Sequence, residues 1–242
     1  MCVVWCFVYA CMFTLVVDSQ PLHVAPNAIS GPSPACHPEQ PLHVVTIASH
    51  AHAYVCTALC SAVLNNLTVH VVGWGTTRKQ WGVFSKMVAK ARLLRDVVRH
   101  LPPSEWMMWN DGTDAFFNRD KQAIMTAFCA MNRTLVFSAE RFCWPCPPGV
   151  WPESPTPYRY LNSGGFLGRV ADVQRFLDAI FQRPVYKWTE GGDQGESQRV
   201  FLAHGPDWGV HLDHYQRIWQ TMFKARPAFC RPGLRNCGTG SE

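Results

Sequence analysis

The alternation of apolar runs with amphipathic stretches after residue 41 most strongly constrains the fold of this 242-residue chain. Apolar runs of strand length occupy residues 42–48, 68–72, 106–109 and 134–138. Between them, apolar residues at helical spacing predict helices over residues 54–64, 87–98 and 119–131. A chain in which strands and helices alternate forms a mostly parallel sheet covered by helices on both faces. The sequence therefore predicts an α/β fold of this kind.

The first forty residues form two segments of different composition. Residues 1–17 are almost wholly apolar, and Asp18 ends the run. The run is shorter than the roughly 20 residues of a membrane span but suits a signal-peptide core. We expect a signal peptide over residues 1–20, with an uncleaved signal anchor as the alternative and the only route to a membrane. The proline-rich residues 21–40 predict a stem or linker, and residues 41–242 the folded domain.

Several features favour the lumen of the secretory pathway (endoplasmic reticulum or Golgi) or secretion. Asn66 and Asn132 begin N-glycosylation sequons, and eight cysteines follow the apolar segment, an even number that suits disulfides with pairings left open. The pair Cys143 and Cys146 has the spacing of a redox site or half a zinc site, but the sequence has no second such pair. The net charge of +5 is mild, and no nucleic-acid partner is predicted.

The predicted strand over residues 106–109 leads directly into the sequence Asn-Asp-Gly-Thr-Asp, which contains Asp111 and Asp114. Parallel sheets bind ligands beyond the carboxyl ends of their strands. Mn²⁺ and Mg²⁺ take carboxylate oxygens together with diphosphate oxygens, and Gly112 would allow a bend that aims both carboxylates at one ion. The two aspartates are thus candidate metal ligands. The alternative is a turn in which Asp111 caps the next helix.

Two further segments carry a family resemblance. Residues 137–145 read Phe-Ser-Ala-Glu-Arg-Phe-Cys-Trp-Pro, and residues 160–168 read Tyr-Leu-Asn-Ser-Gly-Gly-Phe-Leu-Gly. Together with the preceding Asp-x-x-Asp loop, they resemble the glycosyltransferase domain of the procollagen lysyl hydroxylase and collagen galactosyl- and glucosyltransferase family, over roughly residues 42–222. The resemblance implies a GT-A fold, in which a Rossmann-like half binds a UDP-sugar and a more open half binds the acceptor. It also implies Mn²⁺ (or Mg²⁺), UDP-galactose or UDP-glucose as donor, and a collagen-like protein acceptor.

The resemblance assigns roles to individual residues. It places Asp111 and Asp114 at the metal and Thr46 at the uridine. It places Lys90 at the nucleotide, with Lys86 as a competing alignment. Beside the donor sugar it places Ser163, Gly164 and Gly165. Those that it places in the catalytic pocket are Trp144, Asn162 and Asp193, the last followed by Gln194.

Some of these residues also have an ordinary structural interpretation. Trp144 would be a core residue, Lys90 a solvated helix cation and Asp193 a helix N-cap. The two glycines would mark a β-bulge. The resemblance favours the functional roles over these.

The chain departs from the family pattern at two places. The resemblance implies a third metal ligand, a histidine in a His-Gly-x-Gly-like segment, but the residues after His214 contain no histidine. Either the domain is truncated at its C-terminus before this segment, or its metal site is incomplete. The family's acidic run is reduced to Asp193, which follows Gly191 and Gly192. A non-catalytic secreted relative that binds a nucleotide-sugar or glycan without turnover is therefore the alternative function. The sequence His211-x-Asp213 would open an iron-binding triad, but we interpret this segment as structural.

Overall fold

A computed structural model of the chain describes residues 36–76, 86–185, 188 and 191–222. In these residues six strands form one sheet in the order β2-β1-β3-β5-β4-β6. The strands are β1 (Leu42–Ile47), β2 (Val69–Val72), β3 (Trp106–Asn110), β4 (Leu135–Glu140), β5 (Tyr160–Arg169) and β6 (Val210–Leu212). Strand β5 runs antiparallel to both of its neighbours, while the other pairings are parallel. The predicted α/β fold with a mostly parallel sheet is confirmed.

Helices cover both faces of this sheet. The helices within the described ranges are α1 (Ala53–Leu64), α2 (Lys86–Val98), α3 (Lys121–Cys129), α4 (Val170–Gln182) and α5 (Gly192–His204). Side chains alternate along β3, so Met108 packs in a core with α1 and α3, and Trp109 in a core with α2, α4 and α5. Both cores are buried and rich in aromatic residues, which accounts for the fully buried character of β3.

The elements predicted from apolar patterning lie within about two residues of the observed ones, but that patterning did not identify β5, β6, α4 or α5. Strand β5 contains Asn162, Ser163, Gly164 and Gly165, residue types that are depleted in strands, so its composition hides it. It is nevertheless central, with β3 on one side and β4 on the other. The register against β4 shifts after Phe137, which opposes Phe166, whereas the next residue opposes Asn162. The irregularity falls at the predicted bulge.

Several polar residues of the sheet lie at one end of its strands, which we call the carboxyl edge. The carboxyl ends of β1, β3 and β4 meet there, and the antiparallel β5 contributes its amino end. Thr46, Asn110, Glu140 and Asn162 therefore lie at the same edge, although they are far apart in sequence. Ligands of such sheets bind at this edge.

Two disulfide bonds occur among the described cysteines. Cys36 is bonded to Cys129, which ties the residues before β1 to the end of α3, and Cys143 is bonded to Cys146. The short pair is thus a disulfide and not half of a zinc site.

The predicted signal segment and most of the predicted stem lie outside the described residues. Their boundaries stay predictions. In the described part of the chain, no helix has the length and apolar character needed to cross a membrane.

Candidate functional site

The loop after β3 is fixed by contacts with β1 and β5. The Asp111 N–H donates to the Gly164 carbonyl at 2.8 Å, and the Thr46 hydroxyl donates to the Asn110 carbonyl at 2.7 Å. A Cβ at Gly112 would lie 2.8 Å from both the Ile47 carbonyl oxygen and Thr46 Oγ1. Gly112 is therefore needed for the close approach of the loop to β1, and the role predicted for it in the bend is secondary.

Lys90, on α2, joins two carboxylates that are far apart in sequence. Its Nζ donates to Asp111 Oδ1 at 2.9 Å and forms an ion pair with Asp193 Oδ2, also at 2.9 Å. Only 17% of the Lys90 side chain is exposed. Burial alone would lower the pKa of Lys90, but attraction to Asp193 and Asp111 outweighs it and raises the pKa above its ordinary value. Lys90 is a buried charged bridge, and its interpretation as a solvated helix cation is wrong.

Asp111 retains one carboxylate oxygen for a ligand. Within the described ranges, Oδ1 accepts from Lys90 whereas Oδ2 has no hydrogen-bond donor. A Cβ at Gly164 would lie 3.0 Å from Oδ2, so any side chain at position 164 would crowd this oxygen. Burial raises the pKa of the Asp111 carboxyl, Lys90 opposes this, and the negative charges of Asp193 and Asp114 raise it further. Asp114 is thus close enough to act on Asp111.

These two carboxylates fit a hard divalent cation that completes its coordination with diphosphate oxygens. No group of three or more ligating side chains has the arrangement of a full protein metal site in the part of the chain that the structure describes. Asp114 itself is exposed. The interpretation of Asp111 as a helix cap is wrong, because Asp120 caps α3 by accepting from the Ala123 N–H at 2.8 Å.

Asp193 lies in the first turn of α5 and faces the sheet. Its Oδ2 accepts from the Ser163 hydroxyl at 3.0 Å as well as pairing with Lys90. The residue that caps α5 is Gly191, whose φ of 95° is in the left-handed region. Asp193 is therefore not the N-cap, and its carboxylate connects α5 to β5 and α2.

A second polar network extends from this junction toward β4. The Asn162 Nδ2 donates to Glu140 Oε2 at 3.3 Å, and the Gln194 Nε2 donates to Glu140 Oε1 at 2.8 Å. The Asn162 Oδ1 accepts from the Gly164 N–H at 2.8 Å. Burial raises the pKa of Glu140, and the two amide donors oppose this only in part.

Glu140 lies at the centre of this network, and the sequence interpretation gave it no role. The available signal was its position at the carboxyl end of a parallel strand, the same criterion that selected Asp111. It is 8% exposed, and no ion pair involves it among the described residues. A buried carboxylate held only by amides is a typical functional-site feature.

Trp144 lies in the loop between β4 and β5, and 52% of it is exposed. Its interpretation as a core residue is therefore wrong. Its carbonyl accepts from Gln194 at 2.6 Å and from Gln198 at 2.9 Å, while the disulfide between Cys143 and Cys146 closes the loop around it. The backbone is anchored beside the Glu140 network and the indole is left available for a ligand.

Thr46 and Gly165 are predicted site residues whose nearest contacts lie outside these two networks. The Thr46 hydroxyl is engaged with the Asn110 backbone, so a contact with uridine stays a prediction. Gly165 approaches the indole of Trp219, and its missing Cβ would lie 2.5 Å from Trp219 Nε1. Gly164 alone of the two glycines faces the carboxylates. The alternative alignment through Lys86 has its side chain outside the described residues.

Asp213 is structural, as interpreted from the sequence. It is 1% exposed, and its carboxylate accepts from three consecutive backbone N–H groups, those of residues 217, 218 and 219, at 2.8, 2.7 and 3.1 Å. Both oxygens are therefore occupied. This arrangement opposes a role for His211 and Asp213 in an iron site.

Comparison with known proteins gives a consistent result. Residues 38–229 match the family model described as PLOD GT domain. Human multifunctional procollagen lysine hydroxylase and glycosyltransferase LH3 is 30% identical over 218 residues, which cover 84% of this chain and 28% of that protein. Human procollagen-lysine,2-oxoglutarate 5-dioxygenase 2 is 26% identical over 205 residues, covering 78% and 26%. The Caenorhabditis elegans multifunctional procollagen lysine hydroxylase and glycosyltransferase is 32% identical over 149 residues, covering 56% and 20%. The chain thus spans less than a third of each relative.

Proposed function

The chain belongs to the PLOD GT domain family, and on that premise we propose that it transfers a hexose from a UDP-sugar to a hydroxyl group of a protein. The donor is UDP-galactose or UDP-glucose, and Asp111 and Asp114 hold Mn²⁺ or Mg²⁺. The observation that carries the proposal is the junction at the carboxyl edge of the sheet, where Lys90 contacts both Asp111 and Asp193. The named glycosyltransferase activity of the human relative supports the reaction class.

The charges at this junction suit a nucleotide diphosphate that arrives with a cation. Asp111, Asp114 and Asp193 supply three carboxylates against the single ammonium of Lys90. A divalent cation held by Asp111 and Asp114 would neutralise the diphosphate as it leaves the sugar. Lys90 would supply a second positive charge to the diphosphate oxygens. The two backbone segments that hold these groups, after β3 and at the start of α5, are fixed by the contacts with Gly164 and Ser163.

The adjoining network suits a hexose. The exposed indole of Trp144 offers an apolar plane of the kind that packs against a sugar ring. Asn162 and Gln194 fix the buried carboxylate of Glu140, which would stabilise positive charge that develops at the anomeric carbon. Asp193 would orient the sugar hydroxyls through its position next to Ser163. These residues shape the pocket that the reaction needs.

The acceptor and the compartment follow from different observations. The names of the relatives refer to procollagen lysine, which supports a collagen-like protein acceptor. Two disulfides in the described residues support an oxidising compartment. We therefore place the reaction in the lumen of the secretory pathway or outside the cell.

The experiment that tests this proposal is release of UDP from UDP-galactose and from UDP-glucose by the full chain, with and without Mn²⁺ and with a collagen-like acceptor. The test variant is Asp111→Asn combined with Asp114→Asn. Asp178→Asn is the matched control, because Asp178 is a partly exposed carboxylate on α4 that pairs with Arg95 and Arg99. We expect Mn²⁺-dependent release by wild type and control, and a loss of roughly 100-fold or more in the double variant.

Three outcomes separate the possibilities. UDP release that persists in the double variant would contradict the assignment of the metal ligands. Mn²⁺-dependent binding of UDP without release from either donor would favour the non-catalytic relative. Absence of both binding and release in wild type would reject the nucleotide-sugar site itself.

A further inference from the structure

We propose that Lys90 acts as a gate for the metal: without nucleotide its ammonium holds Asp111 Oδ1 and opposes a cation at the same carboxylate, and a diphosphate draws the ammonium away and lets the cation bind tightly. This inference rests on the proposed function in one respect, that Asp111 is a metal ligand. It is carried by the two contacts of Lys90 Nζ, at 2.9 Å to Asp111 Oδ1 and 2.9 Å to Asp193 Oδ2. In the described part of the chain, Oδ2 of Asp111 stays open, but an ammonium on Oδ1 repels a divalent cation that approaches the same carboxylate.

The ammonium is a strong competitor because of where it is held. Two carboxylates bind it at once, and hydrogen bonds between ionised groups are stronger than neutral ones. The side chain is mostly buried, with the ring of Trp109 centred 5.7 Å from Nζ. A cation that bound Asp111 without nucleotide would weaken one of the two ion pairs that balance the charge of Lys90. We therefore expect weak binding of the free metal.

The surroundings also restrict where the ammonium can go. Beneath it lies a cavity of about 20 Å³, lined mainly by core side chains that include Leu94, Phe137 and Phe166. This space is the size of one water molecule, and apart from Ser163, Ser197 and the Asp193 carboxylate that already pairs with Lys90 its walls are apolar, which disfavours a charged group. We therefore expect Lys90 to leave Asp111 toward the open side of the site, where the diphosphate would lie. The apolar floor makes release of Asp111 depend on an anionic ligand.

Such a gate couples the two ligands. Nucleotide would raise the affinity for the metal, and by thermodynamic linkage the metal would raise the affinity for the nucleotide by the same factor. A protein with this device binds the free cation poorly, yet binds it well together with its donor. Removing the Lys90 ammonium should make binding of the metal less dependent on binding of the nucleotide.

The test is titration of Mn²⁺ into the full chain, followed by the electron paramagnetic resonance signal of the free ion, without nucleotide and then with saturating UDP. Lys90→Met removes the ammonium and keeps the length of the stem. Lys121→Met is the matched control, since it removes the same charge from the start of α3, where Nζ donates to the Glu39 carbonyl at 3.2 Å. Lys90→Gln is measured as a second variant, and circular dichroism checks that each variant folds.

We expect Mn²⁺ alone to bind the Lys90 variants roughly tenfold or more tightly than wild type, and the control as weakly as wild type. UDP should strengthen Mn²⁺ binding in wild type by a larger factor than in the Lys90 variants. Equal affinity of wild type and both Lys90 variants for free Mn²⁺ would overturn the gate and leave the metal ligands standing. No Mn²⁺ binding by any variant, even with UDP, would instead reject the metal site and the gate together.

Discussion

Replacing Gly165 with alanine should destabilise the fold, whereas the same change at Gly164 should mainly impair the site. The two glycines are adjacent in β5, and neither has a positive φ, so alanine is compatible with both backbones. They differ in what a Cβ would meet. At Gly165 it would lie 2.5 and 2.7 Å from Trp219 Nε1 and Cδ1, and at Gly164 it would lie 2.8 Å from Asn162 Oδ1 and 3.0 Å from Asp111 Oδ2.

The magnitude follows from whether each neighbour can move. Trp219 is 8% exposed, and its Nε1 donates to Asn110 Oδ1 at 2.9 Å, so the indole cannot shift without breaking this bond. Overpacking costs about 1–3 kcal/mol and an unpaired buried amide about 1–3 kcal/mol. The lower entropy of the unfolded alanine chain offsets about 0.4–1 kcal/mol. We expect a net loss of about 2–4 kcal/mol for Gly165→Ala. For Gly164→Ala we expect less than about 1 kcal/mol, because side-chain ends can rotate away.

Thermal unfolding followed by circular dichroism, with the disulfides intact, measures the difference. At about 2–4 °C per kcal/mol for a domain of this size, the midpoint of Gly165→Ala should fall by roughly 4–16 °C. The Gly164→Ala midpoint should stay within roughly 4 °C of wild type, while its Mn²⁺-dependent binding of UDP weakens. A Gly165→Ala protein as stable as wild type would refute the close packing of Trp219 on β5.

Three further predictions concern stability. Asp213→Asn should lose about 2–4 kcal/mol in urea denaturation, because one carboxylate accepts three backbone N–H groups; an unchanged midpoint would show that these bonds do not hold the turn. Removing the disulfide with Cys36→Ser and Cys129→Ser should cost about 3–5 kcal/mol, since it closes a loop of 93 residues; equal unfolding curves for the double variant and wild type would oppose this. Burial raises the pKa of Glu140 in the folded protein. Wild type should therefore gain stability relative to Glu140→Gln as the pH falls through the folded pKa, and the gain should be complete below the ordinary pKa of 4.5. A difference in stability between the two proteins that does not change with pH would contradict this prediction.

Much of the fold is readable from the sequence because its strands follow simple rules. Buried parallel strands appear as continuous apolar runs, and β1, β3 and β4 have this form. Strand β5 does not, since its centre contains Ser163, Gly164 and Gly165. Gly164 and Gly165 lack a side chain where Asp111 and Trp219 approach closely, a tertiary requirement that a local pattern cannot express.

The candidate site was only partly readable for a related reason. The position of Asp111 at the end of a buried strand indicated the edge where ligands bind, and the resemblance supplied Lys90, Asn162 and Asp193. The contacts among them depend on how α2 and α5 pack against the sheet, which the sequence pattern does not specify. Glu140 received no role because nothing adjacent to it in sequence marks its partners. The functional roles of all these residues stay predictions.

The most direct test of the central claim is a crystal of the full chain grown with UDP and Mn²⁺, with anomalous diffraction used to locate manganese. We predict one manganese peak shared by the carboxylates of Asp111 and Asp114, with the diphosphate against it and the Lys90 ammonium turned toward the phosphate oxygens. Manganese bound elsewhere, or UDP bound away from the carboxyl edge of the sheet, would contradict the proposed donor site.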